Sequence, residues 1–86
     1  MEEEKTIKVL LLSNQEIVVS EIEEIACEIG DPNCKLTKPY KIEGGALHKW
    51  MQDYTEQNEI MISSDKIITL VTPSSLIFDK YSKVTS

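Results

Sequence analysis

The sequence predicts a mainly β fold, a small barrel with a helix at its C-terminal end. Three observations carry this. Ile60–Pro73 reads as two β-branched apolar runs hinged on Ser63-Ser64-Asp65-Lys66, residue types that hydrogen-bond their own backbone in tight turns. Ile60, Ile62, Ile67, Ile68, Leu70 and Val71 suit a pleated, half-buried surface, so the stretch predicts a short hairpin. Ile7–Leu12 is apolar on both faces from Val9 onward, the pattern of a strand buried on both sides. After Pro73, Ser74–Lys83 starts with serines that can cap a helix and continues with Leu76, Ile77, Lys80, Tyr81 and Val84 at the spacing of one helical stripe, leaving Asp79, Lys80 and Lys83 solvated.

The remaining elements follow in order. Glu2–Glu4 forms a solvated tip, and Ser13-Asn14-Gln15-Glu16 is a turn. A second strand runs from Ile17 to about Glu24, with Ile25 on the opposite parity, which suggests a bend or bulge. Ile22, Ile25, Ala26 and Ile29 also fit helical spacing, so a helix over Glu21–Ile29 is the alternative. Gly30-Asp31-Pro32-Asn33 is the strongest turn in the chain. Beyond it Leu36, Tyr40 and Ile42 share one parity and Lys35, Thr37 and Lys41 the other, a strand with one wet face. Pro39 cannot donate to a ladder, so this strand must be at an edge or bulged there. Glu43-Gly44-Gly45-Ala46 ends it. Leu47, Trp50, Met51 and Tyr54 then predict a short amphipathic helix or turn that caps the barrel. The whole is one domain over 1–86, with the barrel core at about 7–73 and the helix at about 74–84.

Composition narrows the function classes. A chain of 86 residues buries only about 60–65% of its unfolded surface, so sharing a core between subunits is expected from size alone. All nine basic residues are lysines, and fifteen acids leave a formal charge of −6. That balance excludes a general phosphate-binding surface, because affinity for nucleic acid comes largely from neutralised phosphates and arginine supplies the bidentate fork that lysine lacks. No apolar run approaches the roughly 18–20 residues of a membrane span, and Met1-Glu2-Glu3-Glu4-Lys5 is the reverse of a signal peptide's basic start. A cytoplasmic protein with no membrane partner is the expectation.

Enzyme chemistry is not expected. His48 is the only histidine and has no paired nucleophile, Gly44-Gly45 is too short for a phosphate loop, and the acids read as solvated faces. Cys27 and Cys34 have neither zinc-ligand nor redox spacing, which predicts two reduced thiols, no metal and no cofactor. Trp50 and Tyr54 have the rings to stack on bases, but at this spacing packing is the simpler role.

Two stretches resemble the Sm-like (LSm) family. Leu12-Ser13-Asn14-Gln15-Glu16-Ile17-Val18-Val19-Ser20-Glu21-Ile22 is similar to its first motif, Leu-x-Asn-Gly-x-x-Val-x-Gly-x-Leu. Leu12, Asn14 and Val18 match, Ile22 is a close substitute, and Gln15 and Ser20 replace the glycines. The continuation, Asp-x-aromatic-Met-Asn-Leu, falls on Asp31–Leu36, where Asp31 and Leu36 agree. The second motif, Ile-Arg-Gly-Asp-Asn-Ile, falls on Ile62–Ile67 and keeps both isoleucines and Asp65. The likeness covers roughly residues 7–42 and 59–73, and the chain looks most like the small divergent Sm-like proteins of marine cyanophages.

The resemblance implies a strongly bent, five-stranded SH3-like barrel that forms a homo-oligomeric ring of roughly five to seven subunits. Ile60, Ile62, Leu70 and Val71 would lie at the subunit seam. It also implies single-stranded RNA held at the motif loops, by Asn33, Lys35, Ser63, Ser64, Asp65 and Lys66. Asn33 stands where the family has its stacking aromatic, Lys35 where it has the base-reading asparagine, and Ser63-Ser64 where it has Arg-Gly, so weak sequence preference follows. A ring repeats Lys35 and Lys66 around its pore. The alternative is a structural or protein-binding ring scaffold, presenting Trp50, Met51, Tyr54 and acidic faces to a protein partner, with modulation of a host protein by a nucleic-acid-like acidic surface as its narrower form.

Overall fold

The computed structural model describes residues 6–25, 28–29 and 32–85. Strands β1 (Ile7–Leu12) and β2 (Ile17–Glu24) form an antiparallel hairpin. Its turn is set by Asn14, whose Oδ1 accepts the Glu16 N–H at 3.0 Å. β3 (Cys34–Glu43) pairs with β2, and Gly44-Gly45, at φ 59° and 80°, turns it into β4 (Ala46–Lys49). Two successive left-handed residues are what a two-residue hairpin turn needs, and glycine adopts them without strain. β5 (Glu59–Ile62) returns to the other half of β3. A 3₁₀ turn (Ser64–Lys66) leads to β6 (Ile67–Val71), which pairs with β1, and helix α1 (Ser75–Thr85) ends the chain.

The fold is therefore an antiparallel six-stranded sheet in the order β4-β3-β2-β1-β6, with β5 also on β3, and one C-terminal helix. It is not closed into a barrel. The expected hairpin over Ile60–Pro73 is corrected: β5 and β6 do not pair with each other but with β3 and β1, at the two ends of the sheet. A flat sheet would hold them about 19 Å apart, four spacings of ~4.8 Å. The link between Ile62 and Ile67, with its 3₁₀ turn, spans roughly 13 Å. The sheet must curl.

Curling gives the inner face a core. Leu10, Leu12, Val18 and Leu36 are buried, with Ile22, Trp50, Ile62 and Ile67 packed against them. Of the helix or turn expected over Leu47–Tyr54, the turn is what forms: Leu47 lies in β4 and Met51–Tyr54 form turns. Residues 50–58 stand opposite only Lys38 and Pro39 of β3, so β4 and β5 read as one strand interrupted by an excursion. The strand through Glu24 holds, and the helix alternative at Glu21 does not. Cys27 and the acidic tip lie outside the described residues, while Cys34 is buried.

The excursion sits beside a bulge. Val19 opposes Tyr40 and Glu21 opposes Thr37, so β3 spends Lys38 and Pro39 where β2 spends Ser20 alone. Pro39 is thus bulged, and Lys38 takes a left-handed φ of 54°. The extra residue reverses parity, which corrects the expected common face: Leu36 lies opposite Ile22, but Tyr40 lies opposite Val19. A bulge strips the ladder of backbone partners. Here Tyr81 of α1 replaces them. Its hydroxyl points at Lys38 O (2.8 Å) and Thr37 O (3.1 Å) and accepts the Glu21 N–H (3.3 Å), while Ser20 Oγ reaches Glu21 O (2.8 Å) and Thr37 O (3.1 Å).

Around that contact α1 is tied down. Ser74 is its N-cap, with Oγ accepting the Ile77 N–H at 3.3 Å. Lys80 Nζ donates to Gly45 O (2.7 Å), Tyr40 packs edge-on against Tyr81 at 6.0 Å between ring centres, and Lys38 Nζ reaches the last-turn carbonyl of Thr85 (3.3 Å), a favoured place for a cation. The predicted helical stripe is narrower than expected, with Tyr81 buried but Leu76 and Val84 exposed.

Glu16 fixes the start of the excursion. Its carboxylate accepts Trp50 Nε1–H at 3.1 Å and Asn14 Nδ2–H at 3.0 Å, and Lys41 Nζ lies 3.3 Å away. The indole hydrogen bond, then Asn14 and Lys41, hold the carboxyl below its usual range.

Two predictions follow the two anchors. Tyr81→Phe takes this partner from the Glu21 N–H and the Lys38 carbonyl, Thr37 O keeping Ser20 Oγ, and should cost about 1–3 kcal/mol in urea unfolding at neutral pH. Burial pushes the Tyr81 hydroxyl up to about 12 from 10. Its stabilisation is therefore complete below pH 10 and lost as pH rises toward 12, and Tyr81→Phe should remove the highest-pH component of the tyrosinate absorbance titration. For Glu16 the sign is reversed: a lowered folded pKa gives stability that is present above pH 4.5 and lost as pH falls through the folded value. Glu16→Gln should lose less stability than the native chain between pH 7 and 3, followed by the fluorescence of Trp50, the only tryptophan. Equal acid sensitivity of the two proteins would remove Glu16 from this role.

Candidate functional site

The motif residues divide into those that fold the chain and those that cluster at its surface. Leu12 and Val18 are core, Ile22 packs against them, and Asn14 builds the β1–β2 turn. Gln15, at the first glycine position, has φ 72°, a left-handed conformation that favours glycine. Ser20, at the second, is fully buried beside the bulge. Asn14 and Gln15 stay exposed on that turn, and the other four are spent on the core and the bulge.

Three loops converge instead. Asn33, just before β3, makes two hydrogen bonds to the 3₁₀ turn: its Oδ1 accepts the Ser64 N–H at 2.8 Å, and its Nδ2 donates to Ser64 Oγ at 3.1 Å. Ser63, the N-cap of that turn, makes no side-chain cap, so Asn33 satisfies the helix terminus from a distant loop. At the other end Lys66 O accepts the Ser13 N–H at 2.8 Å, and Lys66 N–H closes on Ser63 O at 3.0 Å. Asn33 O in turn accepts the Ile25 N–H at 2.8 Å, which closes the β2–β3 connection. The turn Ser64–Lys66 is thus pinned from both sides, with Asp65 and Lys66 exposed on it.

Lys35 is placed differently. It lies within β3 between Glu23 of β2 and Met61 of β5, and its Nζ is 3.5 Å from Glu23 Oε1. With side chains 30% and 51% exposed, the pair is a surface ion pair worth little to stability, but it shares the lysine's charge with a carboxylate. The structure therefore joins Asn33 with Ser64 and sets Asp65 and Lys66 on the same turn, while Lys35 is held by a residue the sequence reading did not single out. Glu23 carries no local signal in one dimension, since its pairing depends on the β2–β3 register. Ser13 is likewise invisible as a support because it acts through its backbone.

The expected seam residues also divide. Ile60 and Ile62 are half-buried, and Ile62 packs into the chain's own core. Leu70 and Val71 are 46% and 47% exposed. Among the described residues no group of three or more His, Cys, Asp or Glu side chains gathers as a metal site. Among the same residues no helix is long and apolar enough to cross a membrane.

No curated protein matches the chain. The model of one protein family matches residues 5–86, nearly the whole sequence. On that match the chain belongs to the family of unknown function DUF6561.

Proposed function

We propose that this protein is a ring-forming, Sm-like module that holds single-stranded RNA at the pinned loops. One observation carries the assembly: β6 is an edge strand guarded by neither charge nor proline, its one irregularity being the bulge at Ile68 against β1. Among the described residues it pairs with β1 on one side only; it contains no charge and no proline, and exposes Ile68, Leu70 and Val71. Soluble proteins blunt such edges with charge, proline, bulges or a cover, and an apolar edge with a bulge but no charge or proline remains a site for another strand. β5, at the other end of the curled path, offers the complementary edge and an exposed Met61. Pairing β6 of one copy with β5 of the next runs the sheet on from copy to copy, each copy being a five-stranded unit of the Sm-like kind when β4 and β5 are counted as one interrupted strand.

In such a ring the Asn33–Ser64 cluster repeats with the subunits, and Lys66 repeats as its exposed cation. Lys35 contributes beside it, weakened by Glu23. A phosphate backbone is the ligand this suits, with little reading of base identity, because the cluster holds no aromatic and lysine is a point charge. The alternative scaffold for a protein partner is favoured by Tyr54, which is 82% exposed on the excursion, but not by Trp50, which is committed to the core and to Glu16.

The expected results are concrete. Light scattering at micromolar concentration should give a mass of several chains, and Val71→Lys should release single chains. Short uridine-rich and adenosine-rich RNAs should bind the assembled protein at low salt, and the doubly substituted Lys35→Ala, Lys66→Ala protein should bind more weakly, with a salt slope reduced by about 0.7 for each lost phosphate contact. Assembly without RNA binding under these conditions would retire the RNA reading in favour of the scaffold.

A further inference from the structure

Residues 50–58 leave the sheet and return to it on few attachments. Among the described residues three hydrogen bonds tie them across to β3 and to the β1–β2 turn. Trp50 N–H meets Pro39 O at 3.0 Å, Trp50 Nε1–H meets Glu16 Oε1 at 3.1 Å, and Asn58 O accepts the Lys38 N–H at 2.6 Å. The segment's other hydrogen bonds stay local: Gln52 N–H to Lys49 O, the Tyr54 and Thr55 N–H groups to Met51 O, and two from Gln57 to Thr55 Oγ1 and Glu59 O. Of its side chains Trp50 packs against the core, and apart from Trp50 and Thr55 every residue of the segment is exposed.

Chain length does not impose this path. Lys49 stands opposite Tyr40 and Glu59 opposite Thr37, so the ends of the segment are roughly 10 Å apart along β3, whereas a linker of this length can reach roughly 30 Å. Nor does backbone preference: Met51, next to the Trp50 anchor, is held left-handed at φ 65°, and Lys38, at the other anchor, at φ 54°. The neighbouring strands do not need the segment either, since β4 pairs with β3 from Tyr40↔Lys49 to Glu43↔Ala46 and β5 from Cys34↔Ile62 to Thr37↔Glu59. The Glu16 carboxylate is fixed without it, by Asn14 Nδ2–H at 3.0 Å and by Lys41 Nζ at 3.3 Å, a lysine that also lies 3.9 Å from Glu43.

We propose that residues 50–58 are a latched strap. The Trp50 side chain is the bolt and the Glu16 carboxylate the catch, and the segment swings off the core as one unit while β4, β5 and the rest of the sheet keep their pairing. Local openings of this kind belong to segments with few buried apolar contacts and mostly local hydrogen bonds. The hydrogen bond to a charged acceptor is the strongest of the ties, so it sets how often the strap opens. The proposal depends on neither the ring nor the RNA reading.

The test is native-state hydrogen exchange of the full chain by NMR at neutral pH, over a series of sub-denaturing urea concentrations, read at the Trp50 N–H, the Trp50 indole N–H and the Lys38 N–H. In the native protein the three are expected to share one opening constant with little urea dependence. It should be larger than that of the slowest amides of β1 and β2, whose exchange needs global unfolding and rises steeply with urea. Glu16→Ala is expected to raise the opening constant about tenfold or more at both backbone N–H groups. The Lys38 N–H is the decisive probe, because it lies at the far end of the segment and bonds to Asn58. If it is unchanged in Glu16→Ala, the two ends open separately and there is no strap. If the three protons of the native protein exchange only with the slowest amides, and with their urea slope, no local opening exists and the proposal falls. Circular dichroism is recorded on each protein. Should Glu16→Ala lose the native spectrum, Glu16→Gln replaces it, with a smaller acceleration expected at the same two N–H groups and an unchanged Lys38 N–H again overturning the proposal.

Discussion

The Tyr81 hydroxyl in the β2–β3 bulge is the contact on which the rest of this structure depends. A bulge in the central strand of a six-stranded sheet releases Glu21 N–H and the carbonyls of Thr37 and Lys38 from the ladder, in a region where Val19, Ser20 and Pro39 are buried. Each such group left without a partner costs about 1–3 kcal/mol, a large share of what a domain of this size has to spare. A single phenol reaches all three, and Ser20 adds a second reach to Thr37 O. The helix is therefore part of the sheet's hydrogen bonding and not an appendage to it.

From that bulge the architecture unfolds. Because β3 bends between Thr37 and Tyr40, its two halves take different partners, β5 on the first and β4 on the second. The gap between them is filled by residues 50–58, whose path is fixed where Trp50 N–H meets Pro39 O at 3.0 Å and its indole meets Glu16. The bend also advances the curl that the short link from β5 to β6 requires. Local strain accompanies this geometry: Lys38 is held left-handed, and its amide donates to Asn58 O while its ammonium reaches Thr85 O.

Much of this was legible in one dimension, and the failures have a common cause. Pro39 had to be at an edge or a bulge, the strand from Ile17 was expected to run to about Glu24 in preference to a helix, the serines after Pro73 were able to cap a helix, and each of these is local chemistry that the structure bears out. The misreadings concern partners. Two β runs around a polar tetrapeptide look alike whether they pair with each other or, as here, with strands at opposite ends of a sheet. Leu47, Trp50, Met51 and Tyr54 imitate helical spacing because a strand end and a run of turns fall in succession. Parity across Pro39 failed because one extra residue reverses every face beyond it. In the candidate site, Asn33 was visible as a loop residue, but its two bonds to Ser64 and the Glu23 grip on Lys35 exist only once register is known.

The same bend bears on how copies would join. β6 and β5 are different edges, so contact between them is heterologous, and a heterologous contact closes into a ring or runs on as a filament according to the angle between the two edges. That angle is internal to one chain. It is set by the curl from β5 through β3, β2 and β1 to β6, and by the Ser64–Lys66 turn that Asn33 and Ser13 pin at both ends. The acidic surface acts in the same direction. With a charge of −6 on each copy, faces other than the uncharged stretch at 67–78 repel over a Debye length of about 8–10 Å, which leaves the edge as the surface of least resistance. Closure, in the proposed assembly, is thus decided by Tyr81, which lies away from the proposed seam and ligand, and by Asn33, which also builds the loop cluster proposed to hold RNA.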